Sequence, residues 1–260
     1  MSDDLLWRHL RELPYFRALL RAAEAGFVGD VHLPRPRLDL GAGDGHFASV
    51  VFKDGVDLGV DPDGASLAEA DHRGCYRLLI RSFGGRLPIG DERVASAVSN
   101  SVLEHIPEIE PVLSEIGRVL RSGAPFVFTV PNPAFPDHLA APPILARLGF
   151  PRLAEAYRAW FVRVVRHWNM LDESEWGRRL EAAGLKVETT FRYFPPASLH
   201  ALEWGHYLGV PCLLPRAVFG RWILVPARWN LWLTERFLRR YHHPSPCADG
   251  TYSFYLARKV

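Results

Sequence analysis

Short apolar runs alternate along the chain with segments in which apolar residues recur every three or four positions. The short runs predict five β-strands, at residues 38–40, 56–60, 78–80, 94–99 and within RSGAPFVFTV. The second pattern predicts helices at residues 5–25, 46–52, 65–70 and 108–120. Asp63 is placed to cap the third of these helices, and Pro111 lies in the first turn of the fourth. Strands and helices that alternate at this pace indicate an α/β fold with a parallel sheet and right-handed crossovers.

The segment LDLGAGDGHF, residues 38–47, joins the first predicted strand to the next helix. It places Asp39, Gly41, Gly43 and Gly45 at every second position. Glycine is poor material for strands and helices because it loses more conformational entropy on folding than other residues. A ligand that must lie against bare backbone at the carboxyl end of a strand explains such a turn. The segment therefore predicts a site for a nucleotide-type cofactor.

Two cofactors compete for this turn, a dinucleotide and S-adenosylmethionine. Dinucleotide sites use the spacing GxGxxG, whereas the glycines here follow GxGxG and an acid, Asp39, precedes them. Asp61 ends the second predicted strand and can accept hydrogen bonds from the ribose hydroxyls of either cofactor. Asp39 would attract the cationic amino end of a methionine moiety and repel a pyrophosphate. The spacing favours S-adenosylmethionine, and a nicotinamide cofactor stays open as the alternative.

Length, charge and cysteine content argue against several classes of protein. The 260 residues fit one large domain or one and a half, and the net charge of +2 argues against a general nucleic-acid binder. Cys75, Cys212 and Cys247 lack the spacing of zinc ligands, so neither a metal site nor a disulfide framework is predicted. The acidic start, MSDDLLWRHL, lacks the layout of a secretory signal. We therefore expect a cytoplasmic protein.

Four motifs occur in an order typical of one enzyme family: LDLGAGDGHFA, GVDPDG, RLPIGDERVASAVSNSVLEHIP and EIGRVLRSGAPFVFTVPNP. Over about residues 35–133 the chain closely resembles the class I S-adenosylmethionine-dependent methyltransferases, and most closely their type-11 group. The resemblance implies a Rossmann-like α/β fold with a seven-stranded, mostly parallel sheet in the order 3-2-1-4-5-7-6. Its last strand, within TYSFYLARKV, would insert antiparallel between strands five and six.

The resemblance also implies the residues that bind the cofactor. Asp39 and the turn Gly41, Ala42, Gly43 and Gly45 would lie near the methionine end, and Asn100 and Ser101 beside the transferred methyl group. Asp61, followed by Pro62, would bind the ribose. The family usually carries an acid after strand three that binds adenine, but this chain has IRSFGG there. We expect Ser82 or backbone groups to make the polar contact instead and Phe83 to supply an apolar face.

Three histidines are candidates for a general base: His105, His138 and His167. His105 follows strand four, where a structural role is the alternative, and the other two lie in the connections around strand five. Asp172 is expected to cap the helix that begins at DESEW. Glu203 and His206 would reach a substrate only if their segment folds over the strand tips, and the alternative is a solvated helix face.

Two long insertions complete the predicted organisation, in which a helical segment (1–34) precedes a methyltransferase domain (35–260). The first insertion, 134–170, follows strand five, and the second, 197–246, is rich in Trp and Arg and precedes the last strand, 251–259. Prolines and arginines interrupt every apolar run of the second insertion before the ~20 residues that span a membrane. It is either a helical subdomain that buries its rings against the sheet edge or a second subunit, or a lid that contacts a lipid-like or aromatic acceptor while its arginines face headgroups.

The sequence thus predicts transfer of a methyl group from S-adenosylmethionine to a small, rather apolar acceptor. Oxygen, nitrogen and carbon acceptors all stay open, because the sulfonium is already activated and a base is needed only when the acceptor proton is not acidic. The alternatives are a non-catalytic cofactor-binding paralogue and a nicotinamide-dependent oxidoreductase.

Overall fold

Seven strands form a single sheet in this computed structural model, which describes residues 4–260. The strands are β1 (Arg37–Leu40), β2 (Val56–Asp61), β3 (Tyr76–Arg81), β4 (Ser96–Asn100), β5 (Pro125–Pro131), β6 (Leu185–Tyr193) and β7 (Tyr252–Lys259). Their order in the sheet is β3-β2-β1-β4-β5-β7-β6, which confirms the predicted order. The first five strands pair in parallel, and β7 runs antiparallel to β5. The carboxyl ends of β1, β2 and β4 therefore meet at one edge, where such sheets bind ligands.

Twelve α-helices of the described chain connect and flank the strands. They are α1 (Leu5–Leu10), α2 (Tyr15–Gly29), α3 (His46–Val51), α4 (Gly64–Arg73), α5 (Glu110–Val119), α6 (Ala134–Asp137), α7 (Ala141–Arg147), α8 (Pro151–Val165), α9 (Glu173–Ala182), α10 (Pro196–Leu208), α11 (Leu213–Phe219) and α12 (Arg228–Leu238). The helical opening predicted at 5–25 consists of two helices, because Pro14 lacks the N–H that a continuous helix would need. Its carbonyl instead accepts the first hydrogen bond of α2, from Ala18.

The core of the sheet lies along its central strands. Every residue of β1, β4 and β5 is buried, as expected for parallel strands covered on both faces. The predicted apolar face of α5 is confirmed, with Ile109, Val112, Leu113, Ile116 and Leu120 all in the core. Asp63 and Asp172 cap α4 and α9 as predicted, accepting backbone N–H groups of the first turn.

The chain divides into two compact units. The sheet unit consists of Val28–Pro133, Arg166–Phe191 and Tyr252–Val260. The insertion unit consists of residues up to Phe27, Ala134–Val165 and Arg192–Thr251, so it contains α6, α7, α8, α10, α11 and α12.

Glu203 organises the insertion unit from a buried position on α10. Its carboxylate accepts hydrogen bonds from the backbone N–H groups of Ala140 and Ala141 at the start of α7, and from the hydroxyl of Tyr157 at 2.7 Å. Burial, then the hydroxyl of Tyr207 and this carboxylate, raise the pKa of Tyr157. The expectation of a solvated helix face was wrong, because this acid neutralises the amino end of another helix.

The Trp/Arg-rich segment between β6 and β7 keeps most of its tryptophans at the surface. Trp229 and Trp232 on α12 are 77% and 58% exposed, Trp204 is also exposed, and Trp222 is half-buried. Both alternatives for this segment stay predictions: a helical subdomain that packs against the sheet edge or a second subunit, and a lid that contacts a lipid-like or aromatic acceptor. Within residues 4–260 no helix is both long enough and apolar enough to cross a membrane.

Candidate functional site

The glycine turn lies between β1 and α3 and is bound to the neighbouring strand. The backbone N–H groups of Gly41 and Ala42 both donate to the carbonyl of Val60, at 2.8 and 3.0 Å. Gly41, Gly43 and Gly45 all have positive φ, at 82°, 52° and 71°. A Cβ on Gly41 would also lie 2.4 Å from Cγ2 of Val102, whereas one on Gly43 would meet no atom within 4 Å. Gly41 is therefore required by both conformation and space, and Gly43 by conformation alone.

Asp61 ends β2 and faces this turn. Its Oδ2 accepts the N–H of Gly43 at 2.9 Å, and its Oδ1 accepts the N–H of Asp63 at 2.9 Å. These two bonds fix the orientation of the carboxylate. Because each carboxylate oxygen has a second lone pair, Asp61 can still accept hydrogen bonds from two adjacent ligand hydroxyls.

Asp39 is buried beneath the turn, where its Oδ2 accepts a 2.6 Å hydrogen bond from the hydroxyl of Tyr76. Burial and the charge of Asp39 together raise the pKa of Tyr76, so this hydroxyl remains a donor. Sequence reasoning missed Tyr76 because it considered only the residues that follow each strand. Tyr76 begins β3, and its ring fills the space beside Gly59, where a Cβ would approach to 2.7 Å.

A cavity of about 530 Å³ opens beside Gly41 and Asp61 in the sheet unit. Pro62, Ser82 and Phe83 of the predicted site also line it. The remaining lining comes from β1, β2 and the segments that follow β3 and β4: Leu40, Val60, Gly84, Gly85, Val102, His105, Ile106, Pro107, Glu108, Pro111 and Val112. Bare glycine backbone, a fixed carboxylate and apolar walls fit the adenosine part of S-adenosylmethionine.

Ser82 and Phe83, the two residues expected at the adenine, each present a group that a ligand could contact. The ring of Phe83 is 75% exposed at the cavity wall, so its face is available to a flat ligand. The hydroxyl of Ser82 donates to the carbonyl of Arg86 at 2.7 Å, which leaves its oxygen as an acceptor for a ligand amino group.

The other residues predicted at the cofactor do not line this cavity: Asp39, Ala42, Gly43, Gly45, Asn100 and Ser101. Asn100 and Ser101 are buried at the end of β4. Thr129 of β5 holds both, because its hydroxyl donates to Oδ1 of Asn100 at 3.1 Å and accepts the N–H of Ser101 at 3.0 Å. Ser101 has a φ of 48°, so the chain bends sharply there into the next turn.

The structure brings two of the three candidate histidines together. His105 belongs to the 3₁₀ turn Leu103–His105 and lines the cavity, and the centroid of its ring is 5.5 Å from that of His167. His138 belongs to the insertion unit, where its carbonyl lies 3.0 Å from Nε2 of His200. Of the three, His105 alone lines the cavity, within the chain that the structure describes.

Comparison with known proteins agrees with this geometry. The profile of a family described as a methyltransferase domain matches residues 6–190. The chain therefore belongs to this family, and it is a class I S-adenosylmethionine-dependent methyltransferase. An uncharacterized methyltransferase of Mycobacterium leprae is 28% identical over 253 residues, which cover 90% of this chain and 82% of that protein. One of Mycobacterium tuberculosis is 27% identical over 238 residues, which cover 86% and 82%.

Solved structures show the same fold at low sequence identity. A possible histamine N-methyltransferase of Thermotoga maritima is 15% identical, with a TM-score of 0.57 over 94% of this chain and 92% of that one. The geranyl diphosphate C-methyltransferase of Streptomyces coelicolor, solved with Mg²⁺, geranyl diphosphate and S-adenosyl-L-homocysteine, is 19% identical, with a TM-score of 0.57 over 95% and 82%. These structures confirm the expected fold. Membership of the methyltransferase family confirms S-adenosylmethionine as the cofactor.

Proposed function

We propose that the methyl acceptor is a small, largely apolar molecule that enters the cavity beside the glycine turn. The observation that carries this proposal is the apolar lining that the cavity has besides the residues assigned to the cofactor: Val102, Ile106, Pro107 and Pro111, together with His105. Apolar walls with a few polar groups bind apolar ligands and orient them through the polar ones. The geranyl diphosphate C-methyltransferase, which has the same fold and an isoprenoid ligand, supports an acceptor of this kind.

We assign the cofactor contacts as follows. Asp61, followed by Pro62, binds the ribose hydroxyls, and Ser82 and Phe83 bind the adenine. The turn Gly41, Ala42, Gly43 and Gly45, with Asp39 beneath it, lies at the methionine end, and Asn100 and Ser101 lie beside the methyl group. The fixed carboxylate of Asp61 supports its role, because its two backbone hydrogen bonds hold it ready for the ribose without further ordering.

When bound, S-adenosylmethionine supplies an activated methyl group on a sulfonium. The protein's own residues then have three tasks: to align the acceptor, to exclude water and to manage the acceptor's proton. Nδ1 of His105 lies 3.0 Å from the carbonyl of Arg166, and a carbonyl only accepts, so the proton of a neutral ring is on Nδ1. Nε2 of His105 then keeps its lone pair, and His167 and Glu104 lie next to it. This cluster is the candidate for accepting the proton that the methyl acceptor loses.

The Trp/Arg-rich segment supports a lipid-facing role for the insertion unit. Residues 204–243 contain six arginines and a single acid, Glu235, which favours contact with anionic headgroups. The exposed rings of Trp229 and Trp232 are side chains that prefer the membrane interface. We therefore favour peripheral contact with a lipid surface as the route by which an apolar acceptor reaches the protein. Cosedimentation with phosphatidylglycerol vesicles tests this contact, and binding that is unchanged in Trp229→Ser/Trp232→Ser would contradict it.

One labelling experiment tests the proposed acceptor. The protein is incubated with [methyl-³H]S-adenosylmethionine and with separate polar and organic-solvent fractions of a cell extract. We expect tritium to enter a product of the organic fraction and to be absent with Asp61→Ala. Label that enters only the polar fraction would contradict the apolar acceptor. Titration with NAD in parallel tests the nicotinamide alternative, for which we expect no heat of binding.

A further inference from the structure

We propose that Glu104, His105 and His167 form a binding site for a divalent transition-metal ion, of which Zn²⁺ fits best, at the wall of the cavity. Each residue offers one ligand atom, and these atoms all lie within 4.8 Å of one another. Two imidazoles and one carboxylate form a donor set that catalytic zinc sites use, leaving a fourth position open. The sequence predicted no metal because its cysteines lack the spacing of zinc ligands, whereas these three ligands come from segments about sixty residues apart.

Backbone hydrogen bonds hold the two ligand-bearing segments together. The N–H groups of Trp168 and Asn169 both donate to the carbonyl of Glu104, at 2.7 and 3.3 Å. The side-chain amide of Asn169, which is buried, donates to the carbonyls of Leu103 and Ile106, at 3.1 and 2.5 Å. The loop that carries His167 is therefore fixed on both sides of the turn that carries Glu104 and His105.

The ring of His105 is oriented as a metal ligand usually is. Its Nδ1–H donates to the carbonyl of Arg166, and metal-binding histidines usually donate their second nitrogen to such a carbonyl. Nε2 of His105 lies 3.9 Å from Oε1 of Glu104. Ligand atoms around a zinc ion with bonds of about 2.0–2.1 Å lie roughly 3.3 Å apart, so small side-chain rotations close this gap. Arg166 has a φ of 56°, a conformation that non-glycine residues seldom adopt and that recurs at functional sites.

The charge and the burial of the Glu104 carboxylate also favour the binding of a cation. Glu104 is 1% exposed, and its Oε2 and the Nδ1 of His167 are inaccessible to solvent. An ionised carboxylate in such surroundings is costly unless a positive charge lies beside it. A divalent ion is one source of such a charge, and it binds imidazoles in their neutral form. His105 is 43% exposed and lines the cavity, so an ion held by this residue would be accessible from the cavity.

The metal site also indicates the chemical class of the methyl acceptor, an inference that rests on the proposed function. An acceptor hydroxyl bound at the open position loses its proton more readily, because a divalent ion lowers the pKa of a bound oxygen. The acceptor oxygen then forms a bond to the methyl carbon, and the sulfur–methyl bond breaks with its electron pair remaining on sulfur. The hydroxyl proton passes to water. The site therefore fits an apolar alcohol or phenol better than a carbon or amine acceptor.

Metal binding is tested on the whole protein without any acceptor. The protein is stripped with chelator and titrated with Co²⁺, whose visible absorption reports coordination, and then with Zn²⁺ by calorimetry. We expect one tightly bound ion per chain, and affinity at least ~10-fold weaker in both His167→Ala and Glu104→Gln. His72→Ala, which removes an exposed histidine on α4, is the matched control and should bind as the wild type does. Circular dichroism establishes that each variant is folded.

Three outcomes would overturn the proposal: no stoichiometric binding, equal affinity in folded His167→Ala and wild type, or equal losses in the His72→Ala control. Any of these would leave His105 and His167 as candidates for a general base that works without a metal ion. Because no acceptor is present, these results are independent of the proposed function. The acceptor class is tested separately: metal-stripped protein that methylates the organic-fraction product at the full rate would overturn the role of the ion in catalysis.

Discussion

The sharpest test of the glycine turn is Gly41→Ala, because the chain offers a matched control two residues away. Gly41 and Gly43 both have positive φ, at 82° and 52°. The two differ in the space beside them, since a Cβ on Gly41 would lie 2.4 and 2.6 Å from the methyl groups of Val102 and one on Gly43 would meet nothing. Comparing Gly41→Ala with Gly43→Ala therefore separates the cost of conformation from the cost of crowding.

The expected magnitudes follow from these distances. A non-glycine residue in the left-handed region costs about 1–2 kcal/mol, and both variants incur this loss of folding free energy. Overpacking a filled site costs about 1–3 kcal/mol more, which applies only to Gly41→Ala. We thus expect destabilisation of about 1–2 kcal/mol for Gly43→Ala and about 2–5 kcal/mol for Gly41→Ala. Val102→Ala should remove the crowding, so the double variant Gly41→Ala/Val102→Ala should be less destabilised than the sum of its single variants.

Urea unfolding gives the free energies, and calorimetric titration with S-adenosylhomocysteine gives the affinities. Gly41 and Val102 both line the cavity, so Gly41→Ala should also weaken S-adenosylhomocysteine binding more than Gly43→Ala does. Equal destabilisation by the two glycine variants, or strictly additive effects of Gly41→Ala and Val102→Ala, would refute the assignment of crowding to Val102.

Three further variants test individual polar contacts of the fold. Tyr76→Phe removes the 2.6 Å hydrogen bond to buried Asp39 and should lower the free energy of unfolding by about 1.5–3 kcal/mol in urea; an unchanged midpoint would contradict this. Asp57 has a pKa below its usual 3.8, chiefly because Arg35 donates hydrogen bonds to it. Its stabilisation is present above pH about 4 and lost as the pH falls through the lowered value, so the stability gap between wild type and Asp57→Asn should narrow only in acid. Glu203→Gln removes a buried charge from the start of α7 and should lower the midpoint of thermal unfolding, which calorimetry measures.

Most of the fold follows from the sequence because its local signals agree. The strand and helix periods, the glycine turn and the caps at Asp63 and Asp172 are each encoded within a few residues, and the structure confirms them. Strand order came from the resemblance to a family, since periodicity alone does not specify which strands are neighbours. The break between α1 and α2 is encoded locally, by Pro14.

Long-range contacts account for what the sequence did not reveal. The pair formed by Asp39 and Tyr76 joins residues 37 apart, and the cluster of Glu104 with His167 joins two loops. Nothing in the residues around Glu203 indicates that its carboxylate meets the start of a helix about sixty residues earlier. Such polar contacts depend on the tertiary structure. From sequence alone, an acid on an amphipathic helix is predicted to be exposed to solvent, because its distant hydrogen-bond partner is not known.

The most direct test of the central claim is calorimetric titration of S-adenosylhomocysteine into wild type, Asp61→Ala and Asp63→Asn. Two hydrogen bonds from ribose hydroxyls to a charged carboxylate contribute roughly 3 kcal/mol, so Asp61→Ala should weaken binding about 100-fold. Asp63→Asn loses a neighbouring charge but keeps a side chain able to cap α4, and it should bind nearly as the wild type does. Unchanged affinity in a folded Asp61→Ala variant would contradict the assignment of the cofactor to this turn.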